Sequence, residues 1–342
     1  MAEMSCQISS YEDEQPRRKQ KLETTSCSAS AVSAKSDPAP EDDDDLLSEL
    51  DELASDEEEE YQRQVDESDG FDVDYFPHPH GGLVPNKMKN EYSPFYTYLY
   101  SKLGLHCYNL HKGTNLELTR IHKYITNKGY YPPAYYITLD AVDTRNNNTP
   151  CTFQTCLVEY PTPEWGYFSV KTELSRLKVP NGPRAATSDD DVCIERQWRD
   201  EAIDDFYKGK MPNWLTKDEL AAATDKGQYY ELQESDLLGN EWLLLYAEFA
   251  FHVWWRGHGG LPSFLPLKIK KVIVQTLESG EDPPHLKLKS YNAIFYISFR
   301  ASNGDPSGIT VDYHAMIRKT MDGKPGHIGL EVQCWACKAS SE

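Results

Sequence analysis

One strand pattern occurs twice in this chain, and the repeat constrains the fold more than any other feature. Apolar and polar side chains alternate in residues 135–143, YYITLDAVD, and again in residues 295–302, FYISFRAS. This alternation is the period of a β-strand with one face on a core. Each of the preceding strands, residues 116–125 and 265–277, slips by one place in its alternation, which is typical of a β-bulge. The chain is therefore predicted to contain two similarly folded halves.

A helix precedes the strands in each half. The first is predicted to begin at Pro94, after a capping Ser93, and to end at Gly104. The second, EWLLLYAEFAFHVWWR, covers residues 241–256 between Asn240 and a glycine. Consecutive antiparallel strands around one helix indicate the α+β class. We expect this arrangement twice, each helix lying on its own sheet of 4–5 strands. Because the second helix is apolar over most of its surface, we also expect a second contact for it within the chain, either with the first half or with the linker helix that bears Trp198 and Phe206. The alternative is a contact with a second copy or another partner.

The acidic charge is concentrated at the N-terminus. Residues 1–60 hold 19 acidic and 5 basic residues, against 36 and 30 in the remainder. This segment is poor in aromatic residues and is predicted to be a disordered acidic tail. The leucines of residues 41–60 have helical spacing, so this part is interpreted either as a helix that docks on a partner or as a solvated tail. A short basic cluster resembles a nuclear import signal. Its charged residues are Arg17, Arg18, Lys19 and Lys21.

Composition excludes several function classes for the rest of the chain. The body is mildly acidic and has no basic stripe, which argues against nucleic acid as a partner. No apolar run approaches the ~18 residues that a membrane span requires. The N-terminus lacks the apolar region of a secretory signal, so the predicted location is the cytoplasm or nucleus, not the secretory route.

Residues 61–180 are predicted as the first domain, 181–226 as a linker with short helices, and 227–342 as the second domain.

A family resemblance gives the prediction more detail. The passage TNLELTRIHKYITNKGYYPPAYYITLDAVD, residues 114–143, is similar to plant cystatins through their first hairpin. Residues 61–335 resemble an uncharacterised plant family of the cystatin/monellin-like group that includes embryo-defective proteins. The resemblance implies two tandem cystatin-like units and a non-enzymatic protein that acts through contacts with an unknown protein, in embryo development. The alternative that it implies is a cystatin-type inhibitor of a cysteine protease with altered hairpins.

Cystatins insert three elements into the protease cleft, and only parts of them occur here. Their N-terminal glycine matches Gly81 or Gly82, and the first hairpin keeps Gly129 alone. The Pro-Trp of the second hairpin is interrupted and leaves Trp165. A near match to the first hairpin recurs in the second half and includes Gln275 and Gly280. These residues are the candidate protein-contact sites.

No motif for catalysis, a cofactor or a metal was found. The chain has no P-loop, no G-x-S-x-G elbow, no H-E-x-x-H and no dinucleotide fingerprint. Cys334 and Cys337 have the spacing of a redox or zinc motif, but a structural zinc site requires four ligands, so we interpret them as idle thiols. The sequence therefore predicts no catalytic residue and no cofactor. An enzyme whose catalytic residues meet only in space remains the second alternative.

Overall fold

The structure is a computed structural model of the chain. It describes residues 44–76, 82–86, 94–162, 166–178, 196–216, 218–220, 228–256, 264–277, 284–302 and 310–337. The chain divides into Met1–Asp51 and Glu52–Glu342. The described part of the first unit, residues 44–51, is the beginning of helix α1 (Asp44–Ser68). Residues 1–43 of the predicted tail lie outside the described residues. The last 17 residues of the predicted tail, 44–60, belong to α1.

Ten strands of the described chain form one antiparallel sheet. Its order is β1-β2-β3-β4-β5-β10-β9-β8-β7-β6. The strands are β1 (Gly82–Asn86), β2 (Leu116–Lys128), β3 (Ala134–Asp143), β4 (Thr149–Thr162), β5 (Tyr167–Leu177), β6 (Tyr229–Glu231), β7 (Lys268–Gln275), β8 (Ala293–Ser302), β9 (Thr310–Thr320) and β10 (Ile328–Ala336).

The predicted fold of two tandem cystatin-like units, each with its own sheet, is wrong. Strand β5 pairs with β10, and Val170 lies opposite Leu330, so the sheet continues from one half into the other. Residues 61–180 and 227–342 supply β1–β5 and β6–β10 of this single sheet. The alternation in a sequence shows which residues face a core. It does not show whether the edge of a strand pairs with a strand about 160 residues away, and this pairing distinguishes one sheet from two.

The irregularity predicted from the slipped alternation is present in both halves. The pairing of β2 with β3 shifts register after Leu118 and again after Ile121. The pairing of β7 with β8 shifts after Ile269. The predicted bulges are therefore confirmed in both strands.

Five helices accompany the sheet in the described residues. After α1 they are α2 (Phe95–Lys112), α3 (Glu234–Leu237), α4 (Trp242–Trp255) and α5 (Pro284–Lys287). The predicted end of α2 at Gly104 is wrong, because the helix continues to Lys112. A Cβ at Gly104 would lie 2.3 Å from Oγ1 of Thr155 in β4. Glycine here allows the helix to approach the sheet closely, and the helix ends at Gly113, whose φ is 68°.

Helices α2 and α4 lie together on one face of the sheet and share one core. The Phe249 ring of α4 lies 6.0 Å from Tyr100 of α2 and 6.2 Å from Phe168 of β5. Buried side chains from both helices and from both halves of the sheet belong to one cluster. The expected contact between α4 and the other half is therefore confirmed, and it explains why α4 is apolar on most of its surface.

The segment 196–216 covers part of the opposite face. Trp198 donates from Nε1 to the Thr172 carbonyl at 3.2 Å, and its ring stacks on His327 at 5.1 Å. Farther along, Tyr207 and Met211 are buried in a second apolar cluster against strands β7 to β9. In the described part of this linker, the predicted short helices correspond to two 3-10 turns, Asp200–Ala202 and Asp205–Tyr207. The part of the linker that the structure describes is thus a layer of the fold.

Candidate functional site

The turn between β2 and β3 contains one of the candidate contact residues and lies next to another. Gly129 begins the turn with φ 84°, in the region that favours glycine. Gly82, the first residue of β1, lies opposite Lys128 in β2, so Gly82 and Gly129 meet at one end of the sheet. On the far side of β1, the Tyr61 hydroxyl accepts from the Leu83 N–H at 2.9 Å.

The same turn presents two tyrosines that the sequence reasoning did not select. Tyr130 is 59% exposed and Tyr131 is 73% exposed. The Asn127 side chain holds the turn, since its Nδ2 donates to the Pro132 carbonyl at 2.9 Å and its Oδ1 accepts from the Ala134 N–H at 2.6 Å. Two adjacent tyrosines after a hairpin glycine were the available signal. The cystatin motif of the first hairpin ends at the glycine that Gly129 matches. The resemblance to cystatins therefore drew no attention to the two tyrosines that follow.

The second-half match is not part of this end of the sheet. Gln275 ends β7, where it is buried, and its Oε1 accepts from the Tyr296 hydroxyl at 2.8 Å. Six strands lie between β2 and β7 in the sheet order. At a strand spacing of ~4.8 Å this separation is about 34 Å, so Gln275 and Gly129 do not share a site. Gly81, Trp165, Gly280, Arg17, Arg18, Lys19 and Lys21 lie outside the described residues.

Under the helices, the sheet holds a buried carboxylate in β4. Glu159 of β4 is 3% exposed, accepts a short hydrogen bond from the Tyr100 hydroxyl and forms an ion pair of 2.7 Å with Nη2 of Arg256. The Arg256 guanidinium also lies 4.5 Å from the centre of the Phe168 ring. Burial, and then the Glu159 charge, raises the pKa of Tyr100 and of Tyr135 beside it. Both tyrosines therefore stay protonated near neutral pH, and the Tyr100 hydroxyl is the donor to the carboxylate.

A buried lysine lies in the same row across the sheet. Glu159 is opposite Val170, Val170 is opposite Leu330, and Leu330 is opposite Lys319 of β9. Side chains in one such row point to the same face. Three strand spacings of ~4.8 Å separate Glu159 from Lys319, about 14 Å, which is too far for an ion pair.

The surroundings of Lys319 are aromatic. The side chain is 1% exposed, and its Nζ lies 5.7 Å from the ring centre of Phe295 and 6.0 Å from that of Trp242. His106 stacks on Trp242 at 5.0 Å, and its Nε2 is 3.2 Å from the Tyr246 hydroxyl. Burial lowers the pKa of Lys319 to about 7 and, with the Lys319 charge, lowers that of His106 to about 3. The burial of Lys319 was not predicted from the sequence. Lys319 follows Arg318, and two adjacent charged residues in a strand are typical of a strand with one face in solvent.

The described residues contain no group of three or more His, Cys, Asp or Glu side chains that could hold a metal ion. Burial raises the pKa of the Cys334 thiol well above its usual range and also raises that of Cys337. Both thiols are therefore protonated near neutral pH, and a thiol is a poor metal ligand and a poor nucleophile.

Known proteins are similar in sequence to this chain over most of its length. Residues 211–330 match the family model described as Protein MS5. The UPF0725 protein At4g28920 of Arabidopsis thaliana is 52% identical over 300 residues, which cover 83% of this chain and 91% of that protein. The chain belongs to the UPF0725 family. A second member from Arabidopsis thaliana, UPF0725 protein At4g29550, is 40% identical over 81% of this chain and 74% of its own length. The predicted membership of an uncharacterised plant family is thereby confirmed.

A solved structure relates this UPF0725 protein to MS5. The crystal structure of MS5 from Brassica napus superposes with a TM-score of 0.55 at 26% sequence identity. The match covers 72% of this chain and 100% of the MS5 chain. Within the residues that the UPF0725 structure describes, no helix is both long and apolar enough to cross a membrane.

Proposed function

We propose that this UPF0725 protein is a non-enzymatic protein-binding module, and that it binds its partner through the β2–β3 turn. The observation that carries the proposal is the exposure of Tyr130 and Tyr131 on a turn that Asn127 holds in place. Tyrosine is enriched among the residues that dominate binding energy, since it offers a large contact area with few rotatable bonds. A turn held before binding also loses less conformational entropy on association.

Substitution of the turn tyrosines tests this proposal. We expect Tyr130→Ala and Tyr131→Ala each to weaken binding of the partner by about tenfold or more, the effect of losing a central interface residue. The partner is isolated on the immobilised full chain from plant extract and purified, and its Kd is then measured by calorimetry for each variant. Tyr291→Ala is the matched control, because Tyr291 is 63% exposed and lies just before β8, which four strands separate from β3 in the sheet order. Equal Kd values for the wild type and both turn variants would contradict the proposal.

Inhibition of a cysteine protease is the second candidate. It rests on the position of Gly82 beside Gly129, and on the cystatin/monellin grouping that the sequence resemblance suggests. Papain activity measured with increasing full-length protein tests it. Inhibition by the wild type that weakens in Tyr131→Ala would support the candidate, and full papain activity at a protein concentration of about 10 μM would remove it.

The cellular setting is part of the same proposal. By its resemblance to a family with embryo-defective members, the protein would act in embryo development, in the cytoplasm or nucleus. A plant line lacking the gene and complemented with Tyr130→Ala separates this setting from the binding site. Normal embryos in the line without complementation would refute the developmental role while leaving the binding measurements unaffected.

A further inference from the structure

The two edge strands of the sheet, β1 and β6, differ in their capacity to bond a further strand. At the β1 edge, Leu83 directs its N–H away from β2 and donates it to the Tyr61 hydroxyl at 2.9 Å. Pro85 is the next residue with the same orientation, and it has no N–H. The outward-facing residues of β1 therefore have no donor left for an added strand, as is common at protected edges.

At the β6 edge, the outward-facing N–H groups are available. The Leu232 N–H, just after β6, donates to the Val272 carbonyl of β7 at 3.0 Å. Because the hydrogen-bonding direction alternates along a strand, Tyr230 also faces β7, while Tyr229 and Glu231 face away from it. Within the described residues, the N–H groups of Tyr229 and Glu231 have no acceptor. The β6 edge can therefore pair with one more strand.

The surface around β6 is acidic. Residues 228–241 contain four acidic side chains and no basic one. Glu219 also lies close, since its charge adds to burial in raising the pKa of Tyr229. Lys271 of β7 compensates one of these acids, through an ion pair of 2.7 Å with Glu231. A second copy of the chain would bring an equally acidic surface to this edge, and like charges repel. The chemistry that fits the edge is therefore a basic strand.

Apolar groups lie next to the β6 edge on both faces of the sheet. On the face away from the helices, the Tyr229 ring lies 6.4 Å from Tyr296. On the helix face, the Tyr230 hydroxyl donates to Asp236 of α3, which holds α3 beside β6. Leu238, directly after α3, is 78% exposed. The alternating side chains of an added strand would thus meet an aromatic ring on one face and an aliphatic group on the other.

We propose that the β6 edge binds an extended, basic segment of a partner protein by strand addition. The partner backbone accepts hydrogen bonds from the N–H groups of Tyr229 and Glu231, and its lysine or arginine side chains lie among the acidic groups around β6. The backbone bonds supply affinity, and the charge selects against acidic segments. Six strands separate β6 from β3, so this surface does not depend on the β2–β3 turn or on its partner.

The probe for this surface is an acetylated and amidated peptide of about seven residues that alternates lysine and valine. Since the full chain has a net charge of −20, a cationic peptide also binds elsewhere through charge alone. Amide-resolved hydrogen exchange of the full chain therefore reports on β6 itself. We expect the peptide to slow exchange at the Tyr229 and Glu231 amides by about tenfold or more. The Tyr230 amide, which already bonds to β7, is the internal reference.

Two control peptides separate strand addition from charge. The same peptide with every backbone amide N-methylated keeps its charge and has no donors or strand geometry, and a glutamate–valine peptide has the opposite charge. Neither should slow exchange at Tyr229 and Glu231. Equal protection by the N-methylated peptide would overturn the proposal. No protection of these amides at about 10 mM lysine–valine peptide would overturn it as well.

A matched pair of variants tests the edge from the side of the protein. Glu231→Pro and Glu231→Gln both remove the charge, but only the proline removes the outward-facing N–H. We expect the lysine–valine peptide to protect the Tyr229 amide in Glu231→Gln and to protect it about tenfold less in Glu231→Pro. Near-ultraviolet circular dichroism confirms that both variants are folded. Equal protection of Tyr229 in the two variants would show that no strand pairs at this edge.

Discussion

Replacing Glu159 by Leu is expected to lower the free energy of unfolding by about 3 kcal/mol. The substitution leaves the buried Tyr100 hydroxyl without its acceptor and Arg256 without its counter-ion. Since the Arg256 side chain is 42% exposed, water compensates part of its charge, and most of the loss arises from the tyrosine and from the ordered contact between α4 and β4. Urea unfolding of the full chain measures the change.

A double-mutant cycle with Tyr100→Phe separates this interaction from simple loss of packing. Removal of the hydroxyl takes away the buried donor that Glu159 accepts from, so the second substitution should cost less in the Glu159→Leu background than in the wild type. A coupling of about 1–2 kcal/mol is expected. Additive effects of the two substitutions would show that the hydrogen bond does not contribute to stability.

In the same row across the sheet, Lys319→Met is expected to change the free energy of unfolding in the opposite direction. Replacement of this buried amine by an apolar side chain of similar length should raise the free energy of unfolding by ~1–4 kcal/mol at pH 7. The aromatic contacts of Phe295 and Trp242 are retained by the methionine. Urea unfolding of both proteins in the same buffer gives the difference.

The advantage of Lys319→Met should depend on pH in a defined direction. The folded protein holds the pKa of Lys319 at about 7, below its ordinary value of 10.5, so between these values the unfolded chain binds the extra proton. The wild type therefore gains stability as pH rises above 7, by ~1.4 kcal/mol per pH unit, while the variant lacks this contribution. His106 and Tyr246 stay neutral over this range, because burial lowers the pKa of the first and raises that of the second.

Urea unfolding of the wild type and Lys319→Met at pH 7, 8 and 9 tests this pH dependence. The difference between the two proteins should be largest at pH 7 and below and should shrink at each step. A constant difference across these pH values would show that Lys319 keeps its proton when the protein folds, and that its ammonium is compensated within the folded protein.

The features of the fold that could be predicted are those set by residues close together in sequence. The alternation of residues 135–143 and 295–302 located β3 and β8, and its slip located the bulges, because both are properties of neighbouring residues. The β5–β10 pairing was missed because strand edges made only of backbone groups carry no side-chain signal. Gly104 looked like a helix stop, although its role is set by Thr155, which lies about fifty residues later.

The candidate site was less predictable than the fold. A family pattern directed attention to Gly82 and Gly129, which the structure brings together, and to Gln275, which it buries elsewhere. The partners of Glu159 and the aromatic surroundings of Lys319 depend on residues from elements that are distant in sequence. Neither acid nor lysine differs locally from a surface residue of an amphipathic strand, so only the folded chain distinguishes them.

The junction of β5 with β10 also bears on how mutant alleles of this gene should be understood. A premature stop between the two halves would release a fragment in which β5 is an open strand edge, and such an edge is a template for pairing with another chain. Because the register about Val170 and Leu330 is symmetric, a second fragment, or the nascent half of an intact protein, offers a matching edge. A truncating allele and a deletion are then different genetic events, since only the first produces a competitor for the intact sheet.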